Sequence, residues 1–142
     1  MGLDLHRKET FGMQFSSEKL AEFTHSEFQK IFGDTIMLKR KQSVPEMMGW
    51  FEIEYEYKPK NFRLILECWK KAFDIMIWDC ENAFTSLGQN LQHEIASDAS
   101  EKSISEAIKE LYDVLQSEDL VFYISTGKKI FEKRNGRTKR IR

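Results

Sequence analysis

Residues 51–57 alternate without a break: Phe51, Ile53, Tyr55 and Tyr57 are interleaved with Glu52, Glu54 and Glu56. A period of two sends successive side chains to opposite faces of a strand, so this segment is a strand with one buried and one open face. A helix would need its apolar stripe every three or four residues. Lys58-Pro59-Lys60-Asn61 supplies a turn, and residues 62–69 return as a second strand. Lys70-Lys71 separates that strand from a third, over 72–79. Three consecutive strands on short turns make an antiparallel meander.

Turn length fixes register, so the meander has one layout. A four-residue turn sets Tyr57 opposite Phe62, and a two-residue turn sets Trp69 opposite Ala72. One face then gathers Phe51, Ile53, Tyr55, Tyr57, Phe62, Leu64, Leu66, Cys68, Phe73, Ile75 and Ile77, a surface that helices must cover. The other face reads Glu56–Arg63–Trp78, Glu54–Ile65–Met76, Glu52–Glu67–Asp74 and Trp50–Trp69–Ala72. Glu56 and Arg63 are placed as a cross-strand ion pair, with Trp78 beside the guanidinium. The row Glu52–Glu67–Asp74 has no cation opposite it in this layout. Acids mixed with large aromatics on a rigid sheet suit a surface that receives a basic partner. The candidate partner-binding residues are therefore Trp50, Glu52, Glu54, Glu56, Glu67, Trp69, Asp74 and Trp78. The same acids also describe an ordinary solvated face, and Trp50 and Trp69 are open to being covered by a helix or by the C-terminal tail.

The flanking segments complete an α+β fold, an antiparallel meander with helices packed on one face. Phe11, Met13 and Phe15 alternate as a short first strand. Ser16 or Ser17 caps a helix running to Phe32, with Phe15 and Leu20 as a hydrophobic staple. Leu20, Phe23, Phe28, Ile31 and Phe32 form its buried stripe, and Gly33 its stop. A strand is expected over 35–41, then a loop holding Pro45. Phe84, Leu87, Leu91 and Ile95 have helical spacing interrupted by Gly88, leaving helix or loop open. Ser103 to Glu106 reads as a capping box, followed by the helical face Ile104, Ala107, Ile108, Leu111, Val114 and Leu115. A last hairpin is expected from 120–125 and 128–133, turning at Thr126-Gly127. The domain is expected to span 1–134, with 135–142 a basic, flexible tail.

Charge is unevenly placed in the 142 residues. The net charge is −1, but residues 128–142 carry eight bases against one acid, leaving 14 bases and 22 acids in 1–127. An acidic body with a basic terminus bears on partners rather than on fold. The tail is either a nucleic-acid arm, a solvated terminus, or a strap that neutralises the acidic face. No apolar run approaches the roughly 20 residues of a membrane span. Two cysteines and a charged N-terminus fit a cytoplasmic protein.

Signs of chemistry are weak. His6, His25 and His93 share no ligand spacing, and the seven glycines form no phosphate loop. Cys68 has core parity and Cys80 the opposite, so they are not expected to pair. The acid row has the ligand type for Mg²⁺, but a flat open face lacks the enclosure catalysis needs. No cofactor, metal or enzymatic activity is expected.

An acidic single domain with a helix on an antiparallel meander resembles the small immunity proteins encoded beside bacterial polymorphic toxins, the WapI type among them. The meander over 50–79 and the helix-plus-hairpin over 103–133 carry the likeness, which is architectural and covers most of the chain. The resemblance implies a binding protein whose partner is a toxin domain, often a nuclease, with its active site occluded. The competing readings are a nucleic-acid accessory protein acting through the tail and a self-associating protein pairing through exposed tryptophans.

Overall fold

Helical spacing up to Phe32 and strand alternation after it set the order of elements in the computed structural model, which describes residues 17–142. Helix α1, Ser17–Phe32, buries Leu20, Phe28 and Phe32, with Phe23 and Ile31 half-covered on the same core. Gly33 stops it at φ +58, a left-handed conformation that costs glycine nothing. The expected strand at 11–15, the Ser16 cap and the Phe15 half of the staple lie outside the described residues.

Eight strands follow: β1 Ile36–Val44, β2 Trp50–Tyr57, β3 Phe62–Trp69, β4 Ala72–Trp78, β5 Phe84–Ser86, β6 Val121–Thr126, β7 Lys129–Arg134 and β8 Arg137–Arg140. They form one antiparallel sheet in sequence order, β1 through β8. Helix α2, Glu101–Leu115, enters between β5 and β6. The α+β meander expected from the sequence is present, and the sheet extends it on both sides. Tyr57 lies opposite Phe62 and Trp69 opposite Ala72, as turn length requires. On the inner face Phe51, Ile53, Tyr55, Leu64, Leu66, Cys68 and Ile77 are fully buried. Phe28 packs on Tyr55 with ring centroids 4.4 Å apart, and Phe32 meets Tyr57 edge-on. The α2 face contributes Ile104, Ala107, Ile108, Leu111 and Leu115 to the same core, with Val114 at its margin. Ser105 Oγ ties the two helices by donating to the buried Glu27 carboxylate at 2.7 Å.

One segment left open by the sequence is decided and two others differ from the reading. Residues 84–95, open between helix and loop, give β5, a 3-10 turn Gly88–Asn90, and a loop on which Leu91 and Ile95 still reach the core. Asn90 holds this stretch, donating to Thr85 Oγ1 and the Ser86 carbonyl while accepting the Val121 N–H. The cap of α2 is Ser100, not Ser103; Ser100 Oγ accepts the Ser103 N–H at 3.2 Å, while the Ser103 hydroxyl turns back to Asp98. Residues from 135 onward do not form a loose tail. Asn135 and Gly136, both left-handed, make a two-residue turn, and β8 pairs along β7.

The basic C-terminal region also closes the sheet from inside. Lys133 on β7 donates to Asp79 Oδ2 at 2.7 Å and to Glu81. Asp79 Oδ1 accepts the Glu81 and Ala83 N–H groups, which shapes the β4–β5 turn. These contacts hold the Lys133 ammonium above its ordinary range, the Asp79 bond first and the Glu81 bond second. Asp79 is almost fully buried, so removing it strips acceptors from backbone groups and a partner from a half-buried cation. Asp79→Ala is expected to cost about 3 kcal/mol and Asp79→Asn distinctly less, read from urea denaturation. Losses under about 0.5 kcal/mol would show the bridge to be idle.

A second interior contact responds to pH. His25 Nδ1 and the fully buried Tyr55 hydroxyl are 2.7 Å apart, with their rings stacked. Burial pushes Tyr55 upward, so it keeps its proton and donates to the neutral imidazole. The His25 pKa is lowered from 6.5, chiefly by burial, then by Lys41, with Glu22 opposing. A depressed folded value means the unfolded chain takes up the proton first. The His25 contribution is complete above pH 6.5 and is lost as pH falls toward the folded value. Urea midpoints should fall between about pH 7.5 and about pH 5.5, and His25→Gln should flatten that part of the profile.

Candidate partner-binding site

The outer face of the sheet carries the residues singled out by alternation, in the expected rows: Glu56 opposite Arg63 opposite Trp78, and Glu52 opposite Glu67 opposite Asp74. Their partners differ from the expected ones, because β1 adds a further column of cations. Arg40 Nη2 reaches Glu52 at 2.9 Å and Glu54 at 3.3 Å, and Lys39 lies 4.0 Å from Glu56. Arg63 pairs diagonally with Glu54 at 3.8 Å rather than straight across with Glu56, while its guanidinium sits 5.4 Å above Trp78. Glu52 and Glu54 keep only 18% and 13% of their side-chain surface. Three of the five candidate acids are therefore occupied within the sheet. The C-terminal bases play no part in this, since Lys133 is spent on Asp79 and Glu81.

Glu67 and Asp74 remain open to solvent. Glu67 accepts the Trp50 indole N–H at 2.8 Å, which fixes that ring across the sheet. Asp74 is raised above the usual carboxylate range, mainly by desolvation and also by the Glu67 charge, against the Ile75 N–H that bonds it. Burial first, and the Glu67 charge second, push the Cys68 thiol up to about 11, which leaves it inert in the core.

The three tryptophans share a face but not a cluster. Trp78 packs on Phe84 at 5.2 Å, whereas Trp50 and Trp69 lie at the far end of the strands, about 20 Å away at 3.3 Å per residue. At that far end Trp69 is 48% exposed, with Lys70 Nζ 4.4 Å over its ring. Met47 and Met48, in the β1–β2 turn, are 53% and 60% exposed. The Lys70 N–H donates to the Met48 carbonyl at 3.3 Å, so the two turns stand side by side. Alternation does not mark these methionines, which lie in a turn; the run Met47-Met48-Gly49-Trp50 is the sequence signal for them. Arg40 carries no local signal, because its place opposite Glu54 depends on β1 joining the sheet beside β2.

Backbone strain gathers at this same end. Lys70 and Lys71 both take positive φ, 54° and 66°, in a two-residue turn that favours Asn-Gly. Met48 is also left-handed, at 55°. Among the described residues, the other non-glycine residues with positive φ are all asparagines, which tolerate it. The Lys71 carbonyl accepts the Ala99 N–H and Phe73 donates to the Ser97 carbonyl, so the neighbouring loop clamps the turn. Strain of this kind persists where the surroundings over-determine it, and it concentrates at binding sites.

Two outcomes follow from this geometry. Replacing Lys70-Lys71 by Asn-Gly should stabilise the fold by about 1–2 kcal/mol in thermal or urea unfolding. An unchanged or lower midpoint would show that the turn is unstrained. Glu67→Gln keeps an acceptor for Trp50 but removes a charge, so the Asp74 carboxyl, followed by NMR titration, should move down toward 3.8.

Among the described residues no three His, Cys, Asp or Glu side chains gather as a metal site, and no helix is long and apolar enough to cross a membrane. Compared with protein-family models, with characterised proteins and with solved structures, the chain matches none.

Proposed function

We propose that the chain is a binding protein of the immunity type, which neutralises a basic toxin domain by covering its active site. The observation that carries this reading is the juxtaposition at the β1–β2 and β3–β4 turns. Exposed Trp69, Met47 and Met48 stand on strained, clamped backbone beside two acids, Glu67 and Asp74, that no cation of the sheet engages. Tryptophan and methionine supply large contact area, and a pre-set backbone lowers the ordering cost of association. The uncompensated acids would steer a basic partner and set its orientation. Trp50, fixed by its bond to Glu67, extends the platform inward. The candidate surface thus contracts to Met47, Met48, Trp50, Glu67, Trp69 and Asp74, with Glu52, Glu54, Glu56 and Trp78 held in the sheet behind it.

The test is co-expression with the polypeptide encoded immediately upstream, where such toxins are found in the family the chain resembles. The chain is expected to restore growth and to co-purify with that polypeptide at equal stoichiometry. Trp69→Ala should weaken the complex at least about 30-fold, corresponding to about 2 kcal/mol, and Glu67→Lys with Asp74→Lys should slow association. Full protection by the triple variant, folded by circular dichroism, would remove this surface from consideration.

A further inference from the structure

The opposite end of the same sheet has a different chemistry. One register row crosses β3 to β8 as Arg63, Trp78, Phe84, Tyr123, Glu132 and Lys139. Trp78, Phe84 and Tyr123 are adjacent along it on the outer face, each partly exposed and on strands about 4.8 Å apart. Arg63 caps one end of this aromatic row, stacked over Trp78. At the other end stands the β7–β8 hairpin. The turn into β7 and the outer strand β8 expose Lys128, Lys129, Arg137, Lys139 and Arg140, and none has an Asp or Glu carboxylate within 4.0 Å among the described residues, although Arg140 Nε donates to the Arg142 main-chain oxygen at 2.9 Å. The one acid of the hairpin, Glu132, is bonded by Arg134 at 3.2 Å, so its charge is masked.

We infer that this half of the sheet binds single-stranded nucleic acid, with phosphates along the cationic β8 edge and bases turned inward onto Tyr123, Phe84 and Trp78. Tyr123 lies two strands, about 10 Å, from β8, within reach of a base whose phosphate rests on that edge. Aromatic faces stack any base, and arginine over tryptophan extends the stacking surface, so sequence preference is slight. A duplex hides the base faces and cannot use the row. Cations on a sheet edge also guard against edge-to-edge pairing, but that role needs no aromatic row beside them. The site is separate from the acidic, Trp69-bearing end and does not depend on the toxin-binding reading.

The experiment is fluorescence anisotropy of dye-labelled oligothymidylate and oligouridylate against the purified full chain, with the same label on a duplex as comparison. Single strands should bind at about 50 mM salt and weaken about 20-fold by about 200 mM if three phosphates are contacted. Arg137→Gln, Lys139→Gln and Arg140→Gln together should lower affinity at least 10-fold and flatten the salt dependence. Tyr123→Leu, which keeps an apolar side chain against Phe84, should weaken binding severalfold and leave the salt dependence unchanged. Absence of binding at low salt, equal affinity for duplex, or full affinity in the folded triple variant would each overturn the inference. Full affinity in Tyr123→Leu would overturn the stacking platform.

Discussion

Among the described residues, helices cover only one face of this sheet, and the parity of β2, β3 and β4 decides which face that is. Eleven inward positions on three strands are apolar, and α1 and α2 close over them with a single shared core. A slip of one residue in any of these strands would expose its share of that set and bury the acids of the outer face instead. The two short turns that forbid the slip, at 58–61 and at Lys70-Lys71, therefore govern the outer surface as much as the core. Among the described residues both helices lie on the inner face, which leaves the outer face as a surface.

That outer face has to tolerate its own charge. Glu52, Glu54 and Glu56 on one strand would repel, and they are held by Arg40, Arg63 and Lys39 from the strands on either side. The sheet thereby separates structural acids from available ones, and Glu67 and Asp74 fall in the second group. The C-terminal bases divide in the same way. Lys133 is turned inward to Asp79, whereas the bases of β8 and its turns stay in solvent. The charge split along the chain becomes a division of one face, with Glu67 and Asp74 open on β3 and β4 and solvated bases along β8.

The meander was legible because alternation and turn length are local properties. Residues 51–57 state their own periodicity, and the pairings of Tyr57 with Phe62 and Trp69 with Ala72 follow from counting. Long-range partners were not legible. Arg40 faces Glu52 and Glu54 only because β1 joins the sheet beside β2, past an irregularity between Leu38 and Arg40 that shifts the register. Residues 83–101 were ambiguous because β5 is three residues long, too short for a period to show. Charge density at 135–142 reads as a loose tail, whereas the Asn135-Gly136 turn pairs β8 along β7. Ser100 and Ser103 are both plausible caps, and the choice between them is made by Asp98, which claims the second hydroxyl.

The strand order has a kinetic meaning. Each strand pairs with its predecessor in sequence, so no crossover must be threaded and most loops to be closed are short. For a chain with this much sheet, the mean sequence separation of contacts is held low, which places folding nearer the mixed α/β domains than the sandwiches in speed. The exception is the junction of β5 with β6, where a whole helix intervenes and a single pair, Phe84 with Tyr123, makes the ladder. The sheet thus has a natural seam, and the half that carries the basic hairpin is the half that assembles across it.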